Sequence, residues 1–191
     1  MVTAANLKRL HHLDNPRLAR QFSPVAGEGI LQVTAQAKVE IASQILWFGD
    51  NLMTIRVPAS AGNDQISIIE CRMPQGETTP LHVNLCEDEI IHILEGTMCF
   101  RVDGRIFLAH AGQTVMAPKG IPHTFRVDSA DGATCLIVTQ GGDFEQMIRQ
   151  MSVPAPSATL PPKAERTPET AKRFFEICAK NNIQVIGAPL P

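Results

Sequence analysis

The chain has 191 residues, of which 19% are charged, and 17 Lys and Arg against 19 Asp and Glu give a formal net charge of −2 at pH 7. This length predicts one domain with an extension and excludes two large domains, since single domains cluster near about 100–150 residues. The balanced charge, without a run of like charges, provides no basic patch for a phosphate backbone or an anionic bilayer. We therefore expect neither a nucleic-acid partner nor a membrane partner.

The N-terminal residues are basic and polar, without the apolar core of a signal peptide. No apolar stretch approaches the roughly 20 residues that cross a bilayer. The five cysteines are widely spaced and form no CxxC pair, so reduced thiols are the expectation. Together these features predict a cytoplasmic protein.

The N-terminal segment, residues 1–44, is predicted to be an arm outside the core, because it begins with a polar stretch broken by Pro and Gly. From residue 45 to 142 the pattern changes to short β-type runs such as LMTIRV, EIIHILE and TCLIVT, separated by turn residues. Many short strands at close spacing indicate an all-β, antiparallel sandwich or barrel. Asp103-Gly104 is its strongest hairpin signal, because a type I′ turn needs positive φ at both central residues.

Residues 143–191 are predicted to form a C-terminal extension. Asp143 is placed to cap a helix whose apolar residues recur at helical spacing, and a Pro-rich linker follows over 153–168. A second helix is predicted to begin with Thr167 as its N-cap, and the sequence IQVIG predicts a last strand.

Side chains that can ligate a metal concentrate in two segments of the β region. His82 and Asn84 are two residues apart on a predicted strand, so they project to the same face. Glu89 follows after a short turn, and a distant strand supplies His123. Two imidazoles and one carboxylate form the set that leaves coordination positions open on iron or a similar ion.

The spacing of these residues resembles that of the cupins, a family of small β-barrel proteins with two sequence motifs. Four positions match the first motif and four match the second: Gly76, His82, Glu89, Gly96, Gly112, Pro118, Gly120 and His123. Two positions depart from the family pattern, since Asn84 replaces its second His and Val127 replaces its Asn. Glu87 and Asp88 compete with Glu89 as the acidic ligand, and only the distance to Gly96 favours Glu89.

Most of the chain is similar to single-domain cupins of the bacterial quercetin 2,3-dioxygenase type. The resemblance implies a jelly-roll barrel, a homodimer, and a metal-dependent dioxygenase acting on a small aromatic or enol-bearing molecule. It also implies one divalent transition metal per chain, Fe, Ni, Mn or Zn, held by His82, Glu89 and His123. Glu89 would then also accept the proton of the substrate hydroxyl, and the co-substrate would be dioxygen.

Asn84 leaves three outcomes open, because an amide oxygen is a weaker ligand than imidazole for transition metals. It is a weak fourth ligand, or water takes that position, or the pocket binds a molecule without metal. Cys86 is a soft ligand that could substitute for the missing His, but a free Cys is usually a packing residue. Two rival functions follow, a non-enzymatic small-molecule-binding cupin and an oxygen-independent isomerase or lyase. Phe125, two residues after His123, is predicted to face the interior and to contact substrate.

Overall fold

The structure is a computed structural model that describes residues 43–165 and 167–191. Residues 1–42, most of the predicted N-terminal arm, lie outside the described residues. The division into segments 1–44, 45–142 and 143–191 stays a prediction. None of the helices in the described residues combines the length and the apolar character that a membrane crossing requires.

The described residues form twelve strands and two α-helices, which are numbered here in chain order. A 3₁₀ turn at Ala59–Ala61 lies between the second and third strands. The strands are β1 (Gln44–Phe48), β2 (Asn51–Val57), β3 (Ile66–Met73), β4 (Leu81–Asn84), β5 (Glu89–Glu95), β6 (Thr97–Val102), β7 (Arg105–His110), β8 (Thr114–Ala117), β9 (His123–Val127), β10 (Ala133–Gln140), β11 (Val153–Pro154) and β12 (Ile183–Gly187). The helices are α1 (Asp143–Met151) and α2 (Pro168–Lys180).

The strands pair in two antiparallel sheets within the described part of the chain. The seven-stranded sheet has the order β11-β1-β2-β3-β10-β5-β8, and the five-stranded sheet has the order β12-β4-β9-β6-β7. This arrangement confirms the predicted all-β, antiparallel jelly-roll fold with a C-terminal helix. Among residues 43–165 and 167–191, each sheet ends in edge strands, and backbone hydrogen bonds between these residues do not close the two sheets into one continuous barrel.

The core is built from the inward-facing residues of both sheets. In β3 the side chains of Ile69, Cys71 and Met73 are buried, and the residues between them are more exposed. From the other sheet, β6 and β9 contribute Phe100 and Val127 to the same hydrophobic cluster. Burying one large apolar side chain stabilises a protein by about 1.5–3 kcal/mol, so this two-residue periodicity selects which face of each strand packs inward.

The turn between β6 and β7 has the predicted geometry. Asp103 has φ +50° and Gly104 has φ +76°, the positive values that a type I′ turn requires. The turn joins β6 to β7 in a regular register that pairs Val102 with Arg105.

Helix α1 begins where it was predicted to begin, but its capping differs from the prediction. The N-cap is Gly142 and no side chain of the helix itself caps it, so the prediction that Asp143 caps the helix was wrong. Instead, the buried Glu87 carboxylate accepts hydrogen bonds from the backbone N–H of Asp143 at 2.9 Å and of Phe144 at 2.7 Å. Gly141 permits this approach, because a Cβ there would lie 2.8 Å from Glu87 Oε1.

The C-terminal segment returns to the five-stranded sheet. Thr167 caps α2 and forms a reciprocal capping box with Thr170, as the Thr-Pro signal predicted. After α2, Asn182 adopts φ +54°, and β12 then pairs with β4 so that Val185 lies opposite His82. The last strand is therefore a direct neighbour of a candidate ligand strand.

We predict that Glu87→Ala lowers the free energy of unfolding by about 1–3 kcal/mol, because one buried and one partly buried N–H group at the start of α1 lose their acceptor. Urea unfolding measures this change. Asp64→Ala, in an exposed turn, is the matched control and should change stability by less than about 0.5 kcal/mol. A Glu87→Ala protein as stable as that control would contradict the role assigned to Glu87.

Candidate metal centre

The two candidate histidines face each other across neighbouring strands. His82 on β4 and His123 on β9 are direct register partners. Directly opposite residues of an antiparallel pair project their side chains to the same face. Their ring centroids lie 4.2 Å apart, with the ring planes inclined by 56°.

Glu89 reaches this pair from the other sheet, because it is the first residue of β5. Its Oε2 atom lies 3.2 Å from Nε2 of His123, and both side chains are almost completely buried. One ligand atom from each of His82, Glu89 and His123 lies within 4.8 Å of the other two. The structure thus brings together the three residues that the sequence singled out.

Hydrogen bonds to backbone carbonyls fix the orientation of both imidazole rings. Nδ1 of His82 lies 2.8 Å from the carbonyl oxygen of Pro80, and Nδ1 of His123 lies 2.9 Å from that of Ile121. A carbonyl oxygen only accepts, so Nδ1 carries the hydrogen in both rings. When its ring is neutral, Nε2 of each histidine then carries the lone pair, and a backbone carbonyl on Nδ1 is the second-sphere arrangement typical of metal-binding histidines.

The ionisable groups of the cluster shift one another's pKa values. Burial favours the neutral forms, raising the pKa of Glu89 and lowering that of His123, but their hydrogen bond and opposite charges outweigh it. The net result is a lowered pKa for Glu89 and a raised pKa for His123. Burial, together with the neighbouring His123, lowers the pKa of His82. The cluster therefore favours the ionised form of Glu89, and it shifts the pKa values of the two imidazoles in opposite directions.

Asn84 contacts the cluster through its amide nitrogen. Nδ2 donates to Oε2 of Glu89 at 2.9 Å, and a carboxylate oxygen is an acceptor, so the nitrogen must point this way. The amide oxygen Oδ1 is buried without a hydrogen-bond partner. In this arrangement Asn84 orients Glu89, and its oxygen would become a ligand only if the amide turned over.

The other candidate ligands of this segment have different partners. Glu87 binds the start of α1, and Asp88 Oδ1 accepts from the backbone N–H of Lys119 at 2.8 Å. Cys86 is exposed and does not belong to the cluster. Glu89 is thus the acidic residue of this segment that lies beside the imidazoles.

A cavity of about 520 Å³ adjoins the cluster, and His82 and Glu89 form part of its wall. Phe125 lines this cavity, in keeping with its position two residues after His123 on β9. Its ring packs against Phe100 at a centroid distance of 6.1 Å. The volume lies within the range of about 300–1,000 Å³ typical of small-molecule sites.

Sequence reasoning missed that the two C-terminal helices also line the cavity. Phe144 and Met147 of α1 and Phe174 of α2 all lie on its wall. Their helical spacing identified the apolar faces, but periodicity does not distinguish a filled core from the wall of a cavity. No local signal would have placed them at the same cavity as His82.

Comparison with known proteins gives the class of this domain. Residues 69–139, which include His82, Glu89 and His123, match the family model described as "Cupin domain". The chain therefore carries a cupin domain.

One curated relative is quercetin 2,3-dioxygenase of Bacillus subtilis (strain 168), 26% identical over 144 residues. The match covers 75% of this chain and 42% of the relative, so the chain spans less than half of that protein's length. Among solved structures, a predicted oxalate decarboxylase from Thermotoga maritima is 20% identical, with a TM-score of 0.47 over 53% of this chain and 93% of that one. The Cnp3 cupin domain of Schizosaccharomyces pombe is 12% identical, with a TM-score of 0.45 over 59% of this chain and 77% of that one.

We predict that Asn84→His tightens binding of a divalent transition metal by about tenfold or more, because an imidazole replaces an amide beside the ion. Isothermal titration with Ni²⁺ or Zn²⁺ measures the affinity. Asn84→Ala is the companion variant, and it should weaken binding because Glu89 loses the donor that orients it. An unchanged affinity in Asn84→His would mean that residue 84 does not face the ion.

Proposed function

We propose that this protein is a metal-dependent, dioxygenase-like oxidoreductase acting on a small aromatic or enol-bearing molecule in the cytoplasm. The observation that carries the proposal is the cluster of His82, Glu89 and His123, two members of which, His82 and Glu89, line an apolar cavity. The relative named quercetin 2,3-dioxygenase supports the reaction class. The proposal extends the cupin assignment to an activity.

The donor set fits one divalent transition metal per chain, Fe, Ni, Mn or Zn. His82 and His123 would contribute Nε2, because their Nδ1 atoms are committed to carbonyl groups, and Glu89 would contribute a carboxylate oxygen. When bound, such an ion supplies Lewis acidity toward a substrate oxygen and open positions for dioxygen. Asn84 would be a weak ligand or none.

Glu89 is the proposed catalytic residue. It lines the cavity, and its lowered pKa keeps it ionised and able to accept the proton of a substrate hydroxyl. The bond from Asn84 holds the carboxylate in place during this transfer. Phe125 would pack against the substrate ring, and the apolar walls would exclude water from the ionised substrate.

The first test is the metal content of protein purified without a His-tag or added chelator. We expect near-stoichiometric transition metal, and then loss of flavonol absorbance with uptake of oxygen under air. His82→Ala should lose both metal and turnover, whereas His110→Ala, an exposed histidine outside the cluster, should keep both. Oxygen-independent conversion of the substrate would indicate an isomerase or lyase instead.

A non-enzymatic binding module is the second candidate function, and the orientation of Asn84 favours it. With the amide nitrogen directed at Glu89, the usual fourth ligand position of the family presents a donor and not a lone pair. Protein that stays metal-free after loading, and still binds an aromatic ligand, would support this alternative and remove the dioxygenase.

We also propose that the chain forms a homodimer. Among the strands that the structure describes, β7 is an edge of the five-stranded sheet, and it exposes three large apolar side chains, Ile106, Phe107 and Leu108. An exposed apolar edge strand favours pairing with another chain.

Size-exclusion chromatography with light scattering is expected to give twice the mass of the chain. Leu108→Lys should shift the protein toward the monomer mass, and Ile66→Lys, an exposed apolar residue on β3, is the control. A monomer in the unaltered protein would remove the proposal.

A further inference from the structure

Three sulfur-bearing side chains lie next to one another on the inward face of the seven-stranded sheet. Met53 on β2 is the register partner of Cys71 on β3, and Cys71 is the register partner of Cys135 on β10. Directly opposite residues of antiparallel strands project to the same face, with Cβ atoms about 4.5–5.5 Å apart. These three residues, which we call the sulfur row, therefore place one thioether and two thiols side by side.

The two thiols of the sulfur row are in direct contact. The Cys71 thiol forms a side-chain hydrogen bond with Cys135, and this bond, followed by burial, raises the pKa of Cys71. Both cysteines are free, so neither sulfur atom is committed to a disulfide. Metal–sulfur bonds are about 2.3 Å long in zinc sites, so one ion of similar size can contact both sulfur atoms of a hydrogen-bonded pair.

The sulfur row is buried, but it adjoins a cavity. Met53, Cys71 and Cys135 are 3%, 1% and 1% exposed, and all three belong to the hydrophobic core. Met53 and Cys71 also line the cavity of about 520 Å³ whose wall includes His82 and Glu89. An ion that enters this cavity therefore meets two of the three side chains of the row.

The chemistry of these donors selects a soft cation. Thiolate and thioether sulfur prefer soft ions such as Cu(I), whereas hard cations such as Mg²⁺ and Ca²⁺ take oxygen ligands. Zinc also accepts thiolates, but its structural sites are closed by four ligands, and the row supplies three, one of which is a thioether. A monovalent ion also suits the burial, because a single thiolate balances its charge and the other two sulfur atoms bind as neutral groups.

We propose that the sulfur row is a binding site for Cu(I), separate from the cluster of His82, Glu89 and His123. One of the two cysteine thiols loses its proton to water as the copper–thiolate bond forms. The second cysteine and the thioether of Met53 complete a three-coordinate site. No electron is transferred, because the copper binds already reduced. The site is independent of the proposed oxidoreductase, whose ion is held by imidazole and carboxylate groups.

Anaerobic titration of the full chain with Cu(I), in competition with the chelator bathocuproine disulfonate, measures the affinity. Cys71→Ala and Cys135→Ala should each weaken binding at least about tenfold, since each removes a sulfur ligand. The matched controls are Cys99→Ala, buried on β6 outside the row, and Cys86→Ala, at an exposed position, and both should keep the affinity of the unaltered protein. Equal affinities in all four variants would overturn the proposal and leave the row as packing residues.

Met53→Leu tests the third ligand, because leucine keeps the approximate volume of methionine and lacks sulfur. We expect weaker Cu(I) binding together with a native circular dichroism spectrum. An affinity equal to that of the unaltered protein would overturn the three-sulfur site.

X-ray absorption by copper in the unaltered, Cu(I)-loaded protein decides between the two sites without a variant. Sulfur neighbours are expected, whereas nitrogen and oxygen neighbours would assign the ion to the histidine and glutamate cluster and overturn the proposal. His82→Ala gives the same distinction in solution, since it should leave the Cu(I) affinity unchanged. A protein that binds Cu(I) through sulfur and takes up no oxygen with flavonols would keep this proposal and remove the dioxygenase.

Discussion

The contact between Glu89 and His123 joins the two sheets at the candidate site, and the rest of the site depends on it. His82 and His123 belong to the five-stranded sheet, and Glu89 belongs to the seven-stranded sheet. The distance of 3.2 Å between the carboxylate and the imidazole is therefore set by how the sheets pack. Interiors are close-packed and resist small displacements, so the hydrophobic core that holds the sheets together also holds the three ligand atoms in place.

The polar side chains between Asn84 and Glu89 form hydrogen bonds with different parts of the chain. Asn84 donates to Glu89, Glu87 accepts from the start of α1, and Asp88 accepts from Lys119 in the turn before β9. Asn84 and Glu87 are buried, and a buried polar group is costly unless it is paired, so their bonds satisfy atoms as well as fixing the local backbone. The segment thus ties together the cluster, the first helix and the strand that carries His123.

The sequence predicted the elements well where the signal is local. Alternating apolar runs located the strands, Asp103-Gly104 located a hairpin turn, and Thr167 located the start of α2. The metal-ligand spacing also identified three residues that converge. In each of these cases the physical cause acts over a few residues, or the family resemblance supplied the long-range pairing.

The prediction failed where a distant residue decides the outcome. Glu87 caps a helix that begins 56 residues later, and neither position carries a signal of the other. The pairing of β12 with β4 and the cavity between the sheets and the C-terminal helices are likewise long-range results of packing. Periodicity identifies which face of an element is apolar, but not the surface against which that face packs.

The cupin domain and the C-terminal segment contribute different properties to one cavity. The polar cluster lies in the matched domain, on strands whose register and carbonyl contacts fix the direction of each nitrogen lone pair. The apolar wall of the cavity comes in part from α1 and α2, outside that domain. Under the proposed function the cluster carries the reactivity and the wall contributes to selectivity, so changes in the two helices would alter which molecule is bound without moving the candidate ligand atoms. The same separation explains why the domain match alone identifies the fold and the cluster but not the substrate.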